Sequence, residues 1–98
     1  MNQYMVTIDL PAVLTGKFFA LIPEQRRRVD ELMAEGRILA YTLAVDRSRL
    51  WVTVRADTKG EVVDLINSMP LGKFMTAAIQ ELAFHRQQHP MTMPLSLN

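Results

Sequence analysis

The sequence predicts an α+β fold in which four strands and two helices follow the order β-α-β-β-α-β. Three observations carry this expectation. Stretches with two-residue alternation and β-branched residues open the chain and flank a polar turn in its middle. Two stretches with apolar residues at helical spacing lie between the strands, and prolines or glycines punctuate the joins.

The first strand is "YMVTIDL", Tyr4 to Leu10, and Pro11 ends it. From Thr15 to Gly36 the pattern is helical: Phe18, Ile22, Val29, Leu32 and Met33 fall on one face at about 100° per residue, and Gly36 supplies the stop. Pro23 interrupts this run. A mid-helix proline costs about 3 kcal/mol, which assigns it to a first turn or a kink. "RILAYTLAV" and "LWVTVRA" are strands around the polar turn Asp46–Arg49, so a hairpin is expected. "TKGEVVDLINSM" opens with Thr58 and carries Glu61 three residues on, a capping box, with Val62, Leu65, Ile66 and Met69 as its buried stripe. Pro70 closes that helix, and Lys73–Phe84 reads as the last strand. The tail, residues 85–98, is expected to lie extended over a surface.

This order is the ferredoxin-like split βαβ unit, a four-stranded antiparallel sheet with two helices on one face. The covered face should hold Tyr4, Val6, Ile8, Leu39, Tyr41, Leu43, Val52 and Val54. The other face should show Met5, Thr7, Ala40, Thr42, Ala44, Trp51 and Thr53, which is too apolar to leave in water. Two such sheets facing each other in a homodimer would cover it.

Composition bounds the rest. The chain of 98 residues is read as a single domain, 1–98, and 49% hydrophobic against 21% charged residues is a globular balance. A net charge of +1 provides no field for nucleic acid, despite the arginines between Arg26 and Arg55, or for an anionic membrane. The absence of cysteine excludes thiol nucleophiles, thiolate metal sites and disulfides. No apolar run approaches the ~20 residues of a membrane span, and the N-terminus lacks a signal-peptide pattern, so a cytoplasmic protein is expected. His85 and His89 share helical spacing, but Pro90 follows at once and no third ligand is evident, so no metal is expected. "LTGK" lacks the first glycine of a phosphate loop, and no Gly-x-Ser-x-Gly elbow occurs.

Several features, in order, resemble the muconolactone isomerase family. They are a first strand ending "IDLP", a helix ending "DELMAEGR", an aromatic in "LWVTV", and "MPLGKFM" followed by "LAFH". Pro70-Leu71, two residues, then Phe74-Met75 is the most specific element. The resemblance runs without a gap from Glu31 to His85 and needs a short deletion before Phe18. It implies a dimeric α+β barrel, with homodimers that build larger rings. It also implies an enzyme of aromatic catabolism that shifts a double bond in a small unsaturated lactone or related ring acid. No metal and no organic cofactor are implied.

Shifting a double bond needs a group that takes and returns a proton, and an acid in an apolar pocket suits it because burial raises its pKa toward neutrality. The resemblance implies a glutamate for this role on the first helix, and Gln25 stands at that position. Gln25 lies within the apolar stripe between Ile22 and Val29, where a polar side chain needs a partner or a ligand. An amide cannot act as a base, though it can hold a ligand's carbonyl or carboxylate. The tyrosine implied in the hairpin turn is replaced by Ser48. Substitute proton carriers are Glu24, Asp9 and His85, with the bland readings of a helix first-turn carboxylate, a turn residue and a surface or interface histidine. Arg28 flanks Gln25 and has the fork geometry for a substrate carboxylate. Tyr41 is expected as a pocket wall, Trp51 at an interface, and Phe74 at a pocket rim or in plain packing. The expected site is therefore Glu24 and His85 as catalytic candidates, with Gln25, Arg28, Tyr41 and Phe74 holding the ligand. The alternative is a barrel that binds a small molecule or assembles without turnover.

Overall fold

In the computed structural model, which describes residues 1–84 and 86, the chain runs β1 (Asn2–Asp9), α1 (Gly16–Ala34), β2 (Ile38–Leu43), β3 (Arg49–Ala56), α2 (Lys59–Asn67), a 3-10 turn (Gly72–Phe74) and β4 (Thr76–Glu81). The strands hydrogen-bond in the order β2-β3-β1-β4, each pair antiparallel. This is the ferredoxin-like order that the sequence predicts. The last strand is shorter than expected: Gly72–Phe74 wind into the 3-10 turn and pairing ends at Glu81. The tail expectation, like the role given to His85, lies outside the described residues.

Both helices are bounded by local chemistry. The Thr15 hydroxyl accepts the Phe18 N–H at 3.4 Å at the start of α1. At its end Gly36 takes φ +75°, the left-handed region that favours glycine. Its N–H reaches the Met33 carbonyl at 3.0 Å while Arg37 N–H reaches that of Leu32 at 2.9 Å, the two bonds of a Schellman stop. Pro23 lies in the helix interior rather than in the first turn. The carbonyl that loses its donor belongs to Phe19, an exposed residue that water reaches. In α2 the Thr58 hydroxyl accepts Glu61 N–H at 3.2 Å, and the Glu61 carboxylate reaches back to the Asp57 N–H at 3.1 Å. That partner is one residue outside the expected capping box.

The core lies between the helices and β1, β3. Tyr4, Val6 and Ile8 of β1 face Val54, Val52 and Leu50 across the ladder, and all but the half-buried Leu50 are buried. Leu32 of α1 and the expected stripe of α2 (Val62, Leu65, Ile66, Met69) close over them. Each such burial contributes roughly 1.5–3 kcal/mol.

Three placements differ from expectation. Met33 of α1 is exposed rather than part of the buried stripe, Ile22 and Val29 being only half-buried. Leu39 falls at a register shift in β2, so Ile38 takes the buried place opposite Val54. Tyr41 and Leu43 keep the expected side, opposite Val52 and Leu50, yet are 51% and 44% exposed. β2 is an edge strand that α1 meets while α2 packs on β3 and β4, and burial falls along it from Ile38 toward Leu43. On the face without helices, Met5, Thr7, Trp51, Thr53, Ala40 and Thr42 align as expected. No described helix is long and apolar enough to cross a membrane.

The hairpin between β2 and β3 turns at Ala44–Arg47, where Arg47 takes φ 61° after the Arg47 N–H has closed on the Ala44 carbonyl at 2.9 Å. Asp46 Oδ1 accepts both the Ser48 hydroxyl, at 2.7 Å, and the Ser48 N–H, at 3.0 Å. These bonds, the hydroxyl first, hold the Asp46 carboxyl below the ordinary aspartate value of 3.8. A depressed folded value means that the turn gains from Asp46 above the unfolded pKa and loses that gain as pH falls through the folded one. A carboxyl-carbon NMR titration should therefore place Asp46 below 3.8 in the native chain and higher in Ser48→Ala.

Candidate functional site

The buried residues of α1 are Phe18, Gln25 and Leu32, spaced seven apart and so on one line of the helix. Phe18 and Leu32 belong there on hydrophobic grounds. Gln25, 8% exposed, needs its polar atoms satisfied. Its partners come from the segment that follows α2. Leu71 N–H donates to Gln25 Oε1 at 2.9 Å, and Gln25 Nε2 donates to the Met69 sulfur at 3.2 Å. The orientation of the amide is fixed by these neighbours, because reversing it would set an NH2 group against the Leu71 N–H.

The same segment explains its own sequence. Met69 N–H bonds to the Ile66 carbonyl at 3.1 Å and Gly72 N–H to that of Met69 at 2.9 Å, so the chain leaves α2 in successive tight turns. A Cβ at Gly72 would stand 2.5 Å from the Ile66 carbonyl oxygen, so only glycine fits against the end of α2. Phe74 then meets Phe18 edge-to-face, centroids 5.6 Å apart, with the Lys73 ammonium 5.3 Å from the Phe74 centroid. "MPLGKF" is a clasp that fastens the end of α2 to α1.

Arg28 belongs to this clasp. One of its guanidinium nitrogens donates to Ser68 Oγ at 3.2 Å and another pairs with Glu31 at 3.3 Å. Ser68 Oγ in turn donates to the Leu65 carbonyl at 2.7 Å, which leaves the cation at the C-terminal end of α2, where the helix dipole favours it.

The structure thus brings Gln25 and Arg28 together on one face of α1 and engages both with protein groups. Phe74 stands at the same clasp, in aromatic packing. Tyr41 lies on the edge strand β2, half-exposed, and no described hydrogen bond joins it to Gln25. Glu24 is exposed in the middle of α1, and α1 has no acidic residue in its first turn, so the first-turn reading of Glu24 is corrected. Asp9 pairs with Arg49 across the ladder, Nε to Oδ1 at 2.9 Å, both exposed. What sequence reasoning missed is that Met69, Leu71 and Ser68 are the partners of Gln25 and Arg28. The only signal for them was the motif after α2, which marks a turn but not its partner.

Among the described residues no group of three or more His, Asp or Glu side chains is placed to hold a metal ion. A separate depression of about 320 Å³ opens beside Met1, Asn2, Gln3, Leu82, Ala83 and Phe84, and none of the described candidates lines it. Gln3 Oε1 is buried without a hydrogen-bond donor.

Two substitutions measure the clasp. Gln25→Ala removes the acceptor of a buried N–H and leaves a void, and should lower stability in urea unfolding by about 2–4 kcal/mol. Gly72→Ala forces the turn away from Ile66 and should lower it by about 1–3 kcal/mol.

The chain's sequence matches the model of the muconolactone delta-isomerase family over residues 3–88. No curated protein sequence is significantly similar to it. Among solved structures it is similar to 5-chloro-2-hydroxyhydroquinone dehydrochlorinase (TftG) from Burkholderia phenoliruptrix AC1100, in complex with 2,5-dihydroxybenzoquinone. That match has a TM-score of 0.57 at 13% identity and covers 90% of this chain and 95% of the other. At that identity the likeness shows a shared fold. The family match spans nearly the whole described chain, clasp included: the chain belongs to the muconolactone delta-isomerase family.

Proposed function

We propose that this muconolactone isomerase-like protein holds a small unsaturated ring ligand, a lactone or related ring acid, with position 25 as a structural clasp and not a proton carrier. The observation that carries this reading is the pair of bonds on the Gln25 amide, Leu71 N–H to Oε1 and Nε2 to the Met69 sulfur. An amide serves neither as an acid nor as a base at ordinary pH, and both its ends are engaged within the chain. The ligand class is supported by family membership and by the ring compound, a quinone, in the related dehydrochlorinase structure. A homodimer is part of the proposal, supported by the apolar sheet face of Met5, Ala40 and Trp51 that no helix covers. So is a cytoplasmic role in aromatic catabolism, again from the family.

A second reading keeps turnover: the chain shifts the double bond through another group. The match over residues 3–88 favours it. A proton would leave the ring carbon beside the carbonyl system and be returned at the conjugated position. Glu24, an exposed carboxylate next to Gln25, and His85, which lies outside the described residues, are the candidates.

Incubation with muconolactone in heavy water, followed by NMR, separates the two. The expected result is saturation transfer to the ligand with no exchange of its ring proton. Exchange in the native chain would establish turnover and overturn the reading without it, and its loss in Glu24→Gln or in His85→Ala would name the proton carrier. Absence of saturation transfer would overturn the ring-ligand proposal.

A further inference from the structure

Position 25 is read from two sides with opposite polarity. Leu71 offers a donor, its backbone N–H, at 2.9 Å from Oε1, and Met69 offers an acceptor, a sulfur without a proton, at 3.2 Å from Nε2. A carboxamide satisfies both. An ionised carboxylate satisfies only Leu71, because its second oxygen meets the sulfur with no hydrogen between them. A carboxyl group that keeps its proton satisfies both again, its O–H replacing the amide N–H.

We infer that Met69 is the residue that decides which side chain position 25 accepts. Its sulfur selects a group that donates a hydrogen there and excludes an ionised acid from the place where the family's reaction would use one. Met69 acts through residue 25, so it is a positioning residue. The surroundings do not supply a substitute donor. On α1, Arg28 is turned to Glu31 and Ser68, and Glu24 is exposed. On α2, Asp64 is exposed, and beyond it Lys73 stands over Phe74. From the sheet, Tyr4 joins the same buried cluster as Met69. None of these groups hydrogen-bonds to Gln25 or Met69 among the described contacts. The inference rests on position 25 being a clasp, and its tests use no ligand, so they stand or fall separately from the proposed ligand class.

The experiment compares Gln25→Glu with Gln25→Glu/Met69→Leu, the leucine being close in volume but carrying no acceptor. With 13C-labelled glutamate, the introduced carboxyl should hold its proton at least tenfold more tightly beside methionine, a midpoint one pH unit or more higher than beside leucine. Burial alone raises both midpoints and leaves no difference between them, so equal midpoints would overturn the inference. Urea unfolding at pH 8 gives a second readout. Met69→Leu should lower the midpoint when residue 25 is the native amide and raise it in the Gln25→Glu background. Lowering in both would overturn the inference. Should Gln25→Glu not fold at pH 8, the cycle is run at pH 5, where the protonated acid satisfies both partners. Met69→Leu should then lower the midpoint in both backgrounds, and an unchanged midpoint with the acid would be the contrary result.

Discussion

The hydrogen bond from Leu71 N–H to the buried oxygen of Gln25 is the contact on which the helical layer depends. Two helices on one face of a sheet are held mainly by apolar contact, which is strong but not directional. Where the chain leaves α2 it must turn back toward β4, and the turn carries backbone donors into a region with little water. An unpaired buried N–H costs about 1–3 kcal/mol. Gln25 removes that penalty and at the same time fixes the register of the turn against α1. The bond from Gln25 to the Met69 sulfur and the Phe18–Phe74 contact join the same two segments.

This arrangement changes how the polar residues of α1 are understood. Gln25 and Arg28 have the types and spacing of a ligand-binding pair, one amide and one guanidinium a turn apart. Their partners prove to be the chain itself. The Arg28–Glu31 pair lies at the surface, Arg28 half-buried and Glu31 exposed, and contributes little by itself, in the range of about 0–1 kcal/mol. The bond from Arg28 to Ser68 matters more for direction than for energy, because it places a cation at the end of α2. Position 25 is a buried polar position used for assembly of the fold.

The sheet divides along similar lines. Its centre, β1 and β3, is buried on the helical side, and its apolar residues are continuous there. Along the edge strand β2, which α1 meets, burial falls from Ile38 toward Leu43, and Tyr41 and Leu43 stand on the covered side yet meet solvent. Alternation assigns a residue to a side of a sheet. It does not say how far the opposing layer extends, and an edge strand is where that distinction is felt.

The sequence by itself determined the order of elements, the stop at Gly36, the cap at Thr58 and the apolar stripe of α2, while α2 itself ends at Asn67, ahead of the expected stop at Pro70. All of these are set by interactions within a few residues, where propensity and spacing are legible. It also determined that Gln25 points inward, because helical periodicity fixes direction around an axis. Only the tertiary structure decided what Gln25 meets. Its partners lie at Met69 and Leu71, far along the chain, and no local rule connects them. The bulge at Leu39 and the length of β4 were likewise settled by pairing with neighbours and not by the strands' own residues. A buried polar side chain announces that it needs a partner; which group answers, ligand or backbone, is a matter of packing in three dimensions.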